Sequence, residues 1–324
     1  MANTAFSPTN SVTTTSAANF IPEIWSDEIV AAFKKNLVLA NVVKRMNFKG
    51  KKGDTVNIPS PARGNASAKV ATDAVTLIAE SDTLIPVLIN RHFEYSRLIE
   101  DIVEVQALTS LRSFYTEDAG YALARRIDTD LVQLGRAFNG ATVGTNDYAT
   151  SNTSTKAFVG SDGTTAYNST TSNAAALTDA AIRRTIQRLD DNDIPMDGRF
   201  FLIPPSSRNT LMGLARYTEQ AFIGNGDAIR NGEIGQLYGM AVFASSNADT
   251  GAGNAGADRI CLMGHRDAMV LIEQLGIRSQ TQYKQEYLGT LFTADTLYGV
   301  KALRTNATST AADASAAFAL AVPA

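Results

Sequence analysis

Residues 96–138 read SRLIEDIVEVQALTSLRSFYTEDAGYALARRIDTDLVQLGRAF, and the fold turns on this stretch. Apolar side chains recur at Leu111, Phe114, Tyr115, Tyr121, Ala122, Leu123, Ile127, Leu131, Leu134 and Phe138. That three-and-four spacing lines one face of an α-helix with a continuous stripe. No proline interrupts it, and Gly120 is the only weak helix former before Gly135. The spacing predicts a main rod over residues 110–138, roughly 40 Å long at 1.5 Å per residue. A short separate helix is expected over 98–107, split off near the β-branched Thr109. Arg112, Glu117, Arg125 and Asp128 fall on the other side of the rod and are expected to meet solvent or another subunit.

The segment before the rod has strand and turn character. Thr55-Val56-Asn57-Ile58 alternates, Pro59, Pro61 and Gly64 punctuate it, and Leu84–Ile89 returns as a second apolar strand with Pro86 marking an edge. Two strands joined by an irregular polar middle predict a protruding β-hairpin. A lone hairpin is marginal in water, so it is expected to gain order against another subunit. Further upstream, Pro22 to Lys35 reads as a compact helix with acids early and lysines late, in agreement with the helix dipole. Trp25, Ile29 and Phe33 form an i, i+4 ladder that must dock on something, and core packing is its simplest use. Residues 1–21, rich in Thr, Ser, Asn and Ala, bury too little to order themselves and read as an arm.

After the rod, 139–173 is rich in Gly, Ser, Thr and Asn and is expected to be a surface insertion. A second amphipathic helix is predicted over 177–189 with Thr178 as its N-cap. Short strands follow at 199–203, 241–244, 259–263 and 269–273, with a helix after Pro204-Pro205. An exposed strand is expected at 277–283, a helix at 287–297 and a last strand at 300–304. The Ala/Ser/Thr-rich end, 306–324, is expected to be a mobile tail.

Composition narrows the function. The 324 residues carry a formal net charge of -3, whereas a chain that grips nucleic acid directly shows a basic surplus. A single cysteine, Cys261, forbids any internal disulfide. The N-terminus has neither the positive start nor the apolar run of a signal peptide, and no apolar run is long enough to span a bilayer. Gly50-Lys51-Lys52-Gly53 lacks phosphate-loop spacing, and two histidines with one cysteine cannot build a structural zinc site. The acidic turn 190–197 puts Met196 and Leu202 where a calcium loop counted from Asp191 needs glycine and glutamate, so it reads as a helix end. His265-Arg266-Asp267 has no serine in a nucleophile elbow to serve, and His265 reads as a turn residue. Acids at Glu100, Asp101 and Glu104 read as helix-dipole complements. No catalytic, cofactor-binding or metal-binding set emerges, and the chain reads as structural.

Several motifs, in order along the chain, together resemble the major capsid proteins of tailed bacteriophages with the HK97-type fold. They are Ile21-Pro22-Glu23-Ile24-Trp25-Ser26, Gly53-Asp54-Thr55-Val56-Asn57-Ile58-Pro59 and Tyr121-Ala122-Leu123-Ala124-Arg125-Arg126-Ile127-Asp128. The run IPMDGRFFLIPP at 194–205 and the run GEIGQLYGMAV at 232–242 complete the set, and the likeness is closest to coats of short-tailed, T7-like phages. The resemblance implies an α+β fold: an N-arm (1–22), an N-terminal helix and connection (23–48), an E-loop hairpin (49–92), and a P-domain with its spine helix (93–138). It further implies an A-domain (139–274) that includes the Gly/Ser-rich insertion, a P-domain strand (275–285), the end of the A-domain (286–304) and a flexible tail (305–324). The implied function is a shell of hexamers and pentamers in the virion, made in the host bacterial cytoplasm and enclosing double-stranded DNA without specific binding. Implied partners are copies of the chain itself, a separate scaffolding protein, a portal protein at one vertex and a decoration or cement protein, with no membrane and no cofactor. Arg63 and Lys69 at the hairpin tip, with Trp25 upstream, are the expected intersubunit contacts. The same fold in an encapsulin-like compartment is a rival that the T7-like motifs weigh against. A secreted adhesin or surface-layer protein, suggested by the Thr/Ser/Ala-rich ends, is weighed against by the missing signal peptide and the long helix.

Overall fold

The computed structural model describes residues 38–50, 52–60, 66–69, 71, 74–75, 77, 83–101, 111–136, 157–165, 167, 173–214, 236–248, 258–303 and 316–324. The helix expected over 22–35, with Trp25, lies outside these residues, as do Arg63, 139–156 and the first half of the 232–242 motif.

The long helix is present as α2 (Leu111–Arg136), preceded by a single turn, α1 (Leu39–Val42). Its stripe is buried as its spacing requires, through Ala119, Leu123, Ile127, Leu131 and Leu134. The first half of the stripe lies on one sheet, with Ala119 and Leu123 against Phe292 and Ala294. The second half enters the main core beside Phe200, Leu262 and Phe318. One rod therefore ties two sheets into one body. Two expectations change here. Residues 98–100 are not helical but end a strand, and Asp128 is buried within the subunit where a face toward solvent or another subunit was expected.

The sheet under the first half of α2 has the order β1 (Lys44–Asn47), β10 (Met269–Lys284), β11 (Gly289–Ala302) and β4 (Arg91–Glu100). β10 is one continuous strand where two were expected, at 269–273 and 277–283. The helix expected at 287–297 is instead the body of β11, antiparallel to both β10 and β4. Between β10 and β11 a one-turn 3-10 helix at Gln285–Tyr287 reverses the chain, and Leu288 takes a left-handed φ of 42° to complete the turn.

The second sheet runs β5 (Phe158–Val159), β12 (Ala317–Pro323), β9 (Asp258–His265), β6 (Arg199–Ile203), β8 (Met240–Ala244), β7 (Gln236–Leu237). All five residues of β6 are buried, the signature of a strand covered on both faces. α3 (Asp179–Asp191) and α4 (Pro205–Met212) accompany this sheet. The Thr178 side chain accepts a hydrogen bond from the Ala181 amide, as its position before the helix predicts.

Two expectations fail in this sheet. The C-terminal residues are not a mobile tail: 317–322 are buried, and β12 pairs with β9 and β5. Nor is the Gly/Ser-rich stretch only a surface insertion, because Ala157, Val159 and Tyr167 are buried and β5 forms the sheet edge. The Arg188 guanidinium lies 3.6 Å from the Phe158 ring centroid and 6.0 Å from that of Phe318, and so braces both strands from α3. Cys261 is fully buried beside the Ser207 hydroxyl, and burial pushes its thiol up to about 12. A thiol held protonated in the core is a packing residue.

A two-stranded ribbon, β2 (Thr55–Ser60) paired antiparallel with β3 (Thr83–Leu88), stands apart from both sheets as the expected hairpin. The Ile89 amide donates to the Asp54 carbonyl at 2.7 Å and closes its root. Pro59 and Pro86 fit a ribbon with open edges, where a missing N–H costs no sheet partner.

Candidate assembly surface

The hairpin changes character along its length. At the root Val87 and Ile89 are buried on Val270 and Ile272, with Val56, Ile58 and Leu297 closing round them. Beyond the root Leu84 is exposed, and Val75 and Leu77 are 72% and 87% exposed. Each buried Å² of apolar surface contributes about 25 cal/mol, so an extension carrying bare aliphatic side chains is stabilised by a surface that covers it. Lys69 lies on the exposed stretch 66–69, and the other two expected contact residues, Arg63 and Trp25, lie outside the described residues.

The long sheet shows the same gradient. β10 is buried from Met269 to Ile272 and exposed from Ile277 to Tyr283. Around its far end Leu98, Ile277, Tyr283, Tyr287 and Leu288 are all exposed. Because cross-strand partners share a face, Arg278, Asp295 and Glu94 lie on the side of the sheet away from α2. Arg278 donates to both oxygens of Asp295, at 2.7 and 2.9 Å, and His92 Nε2 is 3.2 Å from Asp295 Oδ2. The Arg278 hydrogen bonds hold the Asp295 carboxyl below the usual carboxylate range. A depressed carboxylate stabilises the fold above its unfolded value of about 3.9, and that contribution is lost as pH falls through the lower folded value. The denaturation midpoints of the wild type and Asp295→Asn should therefore differ near neutral pH and converge in acid. A gap that stays constant into strong acid contradicts this.

On the opposite face the start of α2 is fastened to β4. The Tyr95 hydroxyl donates to Asp118 at 2.9 Å, Arg97 donates to that same hydroxyl, and the Arg97 guanidinium sits 4.6 Å from the Tyr115 ring centroid. Burial, then the Asp118 carboxylate, raise the Tyr95 phenol.

Deeper in, two carboxylates on α2 knot the modules together. Asp130 Oδ2 accepts from the Tyr298 hydroxyl at 2.7 Å and from Arg91 at 3.0 Å, while Oδ1 faces Arg126 at 3.2 Å without hydrogen-bond geometry. Burial and the Asp130 charge push the Tyr298 phenol far up, which keeps it a donor. Asp128 accepts from the Ala40 amide at 3.2 Å and from Asn247 at 2.8 Å, joining the N-terminal connection and the loop after β8 to the rod. Sequence reading missed Asp130 altogether and misplaced Asp128. The available signal was their position, since both fall within the turn that carries buried Ile127 and Leu131.

On its open side α2 borders a cavity of about 340 Å³, lined by Asp118, Tyr121, Ala122, Arg125, Arg126 and Thr129. Among the described residues no group of three or more His, Cys, Asp and Glu side chains is placed to hold a metal ion. Among them, too, no helix is long and apolar enough to cross a membrane. What these residues offer is surface: an apolar ribbon, an exposed sheet end and a charged cleft along the rod.

Residues 30–308 match the family described as Phage capsid protein. No curated protein matches the chain. Among solved structures, one described as Mycobacterium phage Che8 is 23% identical with a TM-score of 0.70, covering 93% of this chain and 97% of that one. The capsid structure of the cyanophage P-SCSP1u also has a TM-score of 0.70, at 17% identity and 98% of both chains. The capsid of Ralstonia phage GP4 follows at 0.66 and 16%, covering 94% of this chain and 95% of that one. At these identities the structures share the fold, which is the HK97-type capsid fold.

Proposed function

This chain belongs to the phage capsid protein family and is a virion protein that forms the head shell, and from that premise we propose how it closes one. Subunits gather into hexamers and pentamers. The hairpin of each laps a neighbour, and the arm at 1–22 adds a second strap. The six-stranded sheet with α3 and α4 serves as the A-domain round the capsomer axis, and α2 with the long sheet serves as the P-domain that meets adjoining capsomers. Because β10 and β11 belong to the long sheet, 269–274 and 289–302 go with the P-domain and not with the A-domain expected for them. The observation that carries this reading is the hairpin's gradient from buried root to bare apolar extension. A cover for that extension is available in every direction when the partner is another copy of the same chain.

Assembly in this reading uses a separate scaffolding protein and a portal at one vertex. The motifs at 194–205 and 232–242 support a place near the T7-like branch. A net charge of -3 suits a container that must not adhere to the DNA it encloses.

Arg63 and Lys69 are proposed to meet carboxylates of an adjacent subunit. With its scaffolding protein the expressed chain should give closed particles in negative stain. Reversing the charge at both positions should lower their yield by about tenfold or more while leaving the soluble subunit's melting curve unchanged. Normal particles from the doubly reversed chain would remove these two residues from the interface.

A further inference from the structure

The last residues of the hairpin cross the helix-free face of the long sheet at close range. Gly299 of β11 lies under that crossing. A Cβ built on Gly299 would sit well inside van der Waals distance of the Leu88 carbonyl oxygen, 3.1 Å from the Leu88 carbonyl carbon and 3.2 Å from the Ile89 Cα. Those are backbone atoms, so no rotamer change relieves the clash. Gly299 does not adopt a left-handed φ, so the residue is required by space and not by its own conformation. On either side of the notch the contact is apolar and closed: Val87 and Ile89 above, Ile272 and Leu297 below. The root has two further ties, the Ile89 amide to the Asp54 carbonyl and Gln274 Nε2 to the Gly53 carbonyl at 3.0 Å.

We infer that Gly299 is a positioning residue for assembly: its missing side chain lets the Leu88–Ile89 backbone seat directly on the sheet and so fixes the angle at which the hairpin meets the next subunit. This rests on the proposed reading that the hairpin laps a neighbour. A tilt at the root is amplified along the ribbon, since each strand residue adds about 3.3 Å of reach. A methyl group that lifts the backbone locally therefore displaces the far end by more than it displaces the root. The shell then fails in its geometry before the subunit fails in its fold.

The test compares Gly299→Ala with two other variants, each expressed with the scaffolding protein and imaged by negative stain. One, Leu211→Ala, destabilises α4 away from the hairpin. The other replaces 61–82 with a short turn. Gly299→Ala is expected to melt as a folded subunit, to lower closed-shell yield by about tenfold or more, and to give open or misshapen particles among the remainder. Leu211→Ala should give fewer shells of ordinary diameter. Ordinary shells from Gly299→Ala, or a defect no different from that of Leu211→Ala, overturn the inference, as does a Gly299→Ala chain that does not fold. The shortened hairpin tests the underlying reading separately, because normal shells from it mean that the hairpin laps nothing. A measurement on the unaltered chain serves as well. Amide exchange at Leu88, Ile89 and Gly299 should be equally slow in the free subunit and in the shell, since the seat is internal to one chain; protection gained only on assembly overturns the inference.

Discussion

Ending the chain after Ala316 should leave no soluble subunit and no shells. β12 is an interior strand, hydrogen-bonded to β9 along 317–323 and to β5 on its other side. Phe318, Leu320 and Val322 alternate with Ala317, Ala319 and Ala321, and all six are buried. Removing one such large side chain costs about 2–5 kcal/mol. Losing the whole strand removes several of these at once and also opens two sheet edges. The sum is on the scale of the roughly 5–15 kcal/mol by which a domain of ordinary stability is folded. Phe318→Ala is the graded version, expected to cost about 3–5 kcal/mol and to shift the urea midpoint without changing the slope. If a chain ending at 316 were soluble and cooperative, the C-terminal segment could not be the core strand described.

That strand marks where sequence reading ends and tertiary information begins. The run AFALAV offers neither a helical stripe nor a polar alternation, because both of its faces are covered and nothing selects polar residues on either. Its alanines suit a tight seat: a Cβ on Gly264 of β9 would press on Ala317. In composition the same alanines blend into the Ala/Ser/Thr-rich stretch before them, and the whole reads as low complexity. β11 misled for a related reason. Leu291, Phe292, Leu297 and Tyr298 mimic helical spacing, while Thr290, Thr293 and Thr296, the β-branched residues that favour a strand, carried less weight in the pattern. In β4, Phe93 and Tyr95 face α2 at period two, and the adjacent pair Leu98 and Ile99 hid the alternation. The rod itself was legible because its stripe is broad and unbroken, lying first on the long sheet and then in the main core. The hairpin was legible from its prolines and its alternation. The assembly residues were not, because a contact with another chain leaves no periodic mark on this one.

Replacing Asp130 with alanine should be the most damaging single polar substitution in the chain. The Asp130 side chain is 0% exposed and serves three partners that come from β4, from α2 itself and from β11. Its removal takes from Arg91, whose side chain is only 16% exposed, the carboxylate it pairs with, and leaves the buried Tyr298 hydroxyl without its acceptor. Breaking a buried ion pair from one side costs about 3–5 kcal/mol, mostly as desolvation no longer compensated. Restoring shape without charge separates that cost from the worth of the pair. Combining Asp130→Leu with Arg91→Met and Tyr298→Phe leaves fewer orphaned groups and should recover most of the lost stability, as apolar replacement of a buried pair commonly does. A double-mutant cycle between Asp130→Asn and Tyr298→Phe should give a coupling of about 1 kcal/mol or more, as expected for a hydrogen bond to a charged group. The knot also joins the rod to the edge strand β4 and to its neighbour β11, beside the place where the hairpin departs. Asp130→Ala subunits kept folded by lower temperature should therefore still assemble poorly. If the alanine variant matched the wild type in urea midpoint, the buried carboxylate could not be what holds these three elements together.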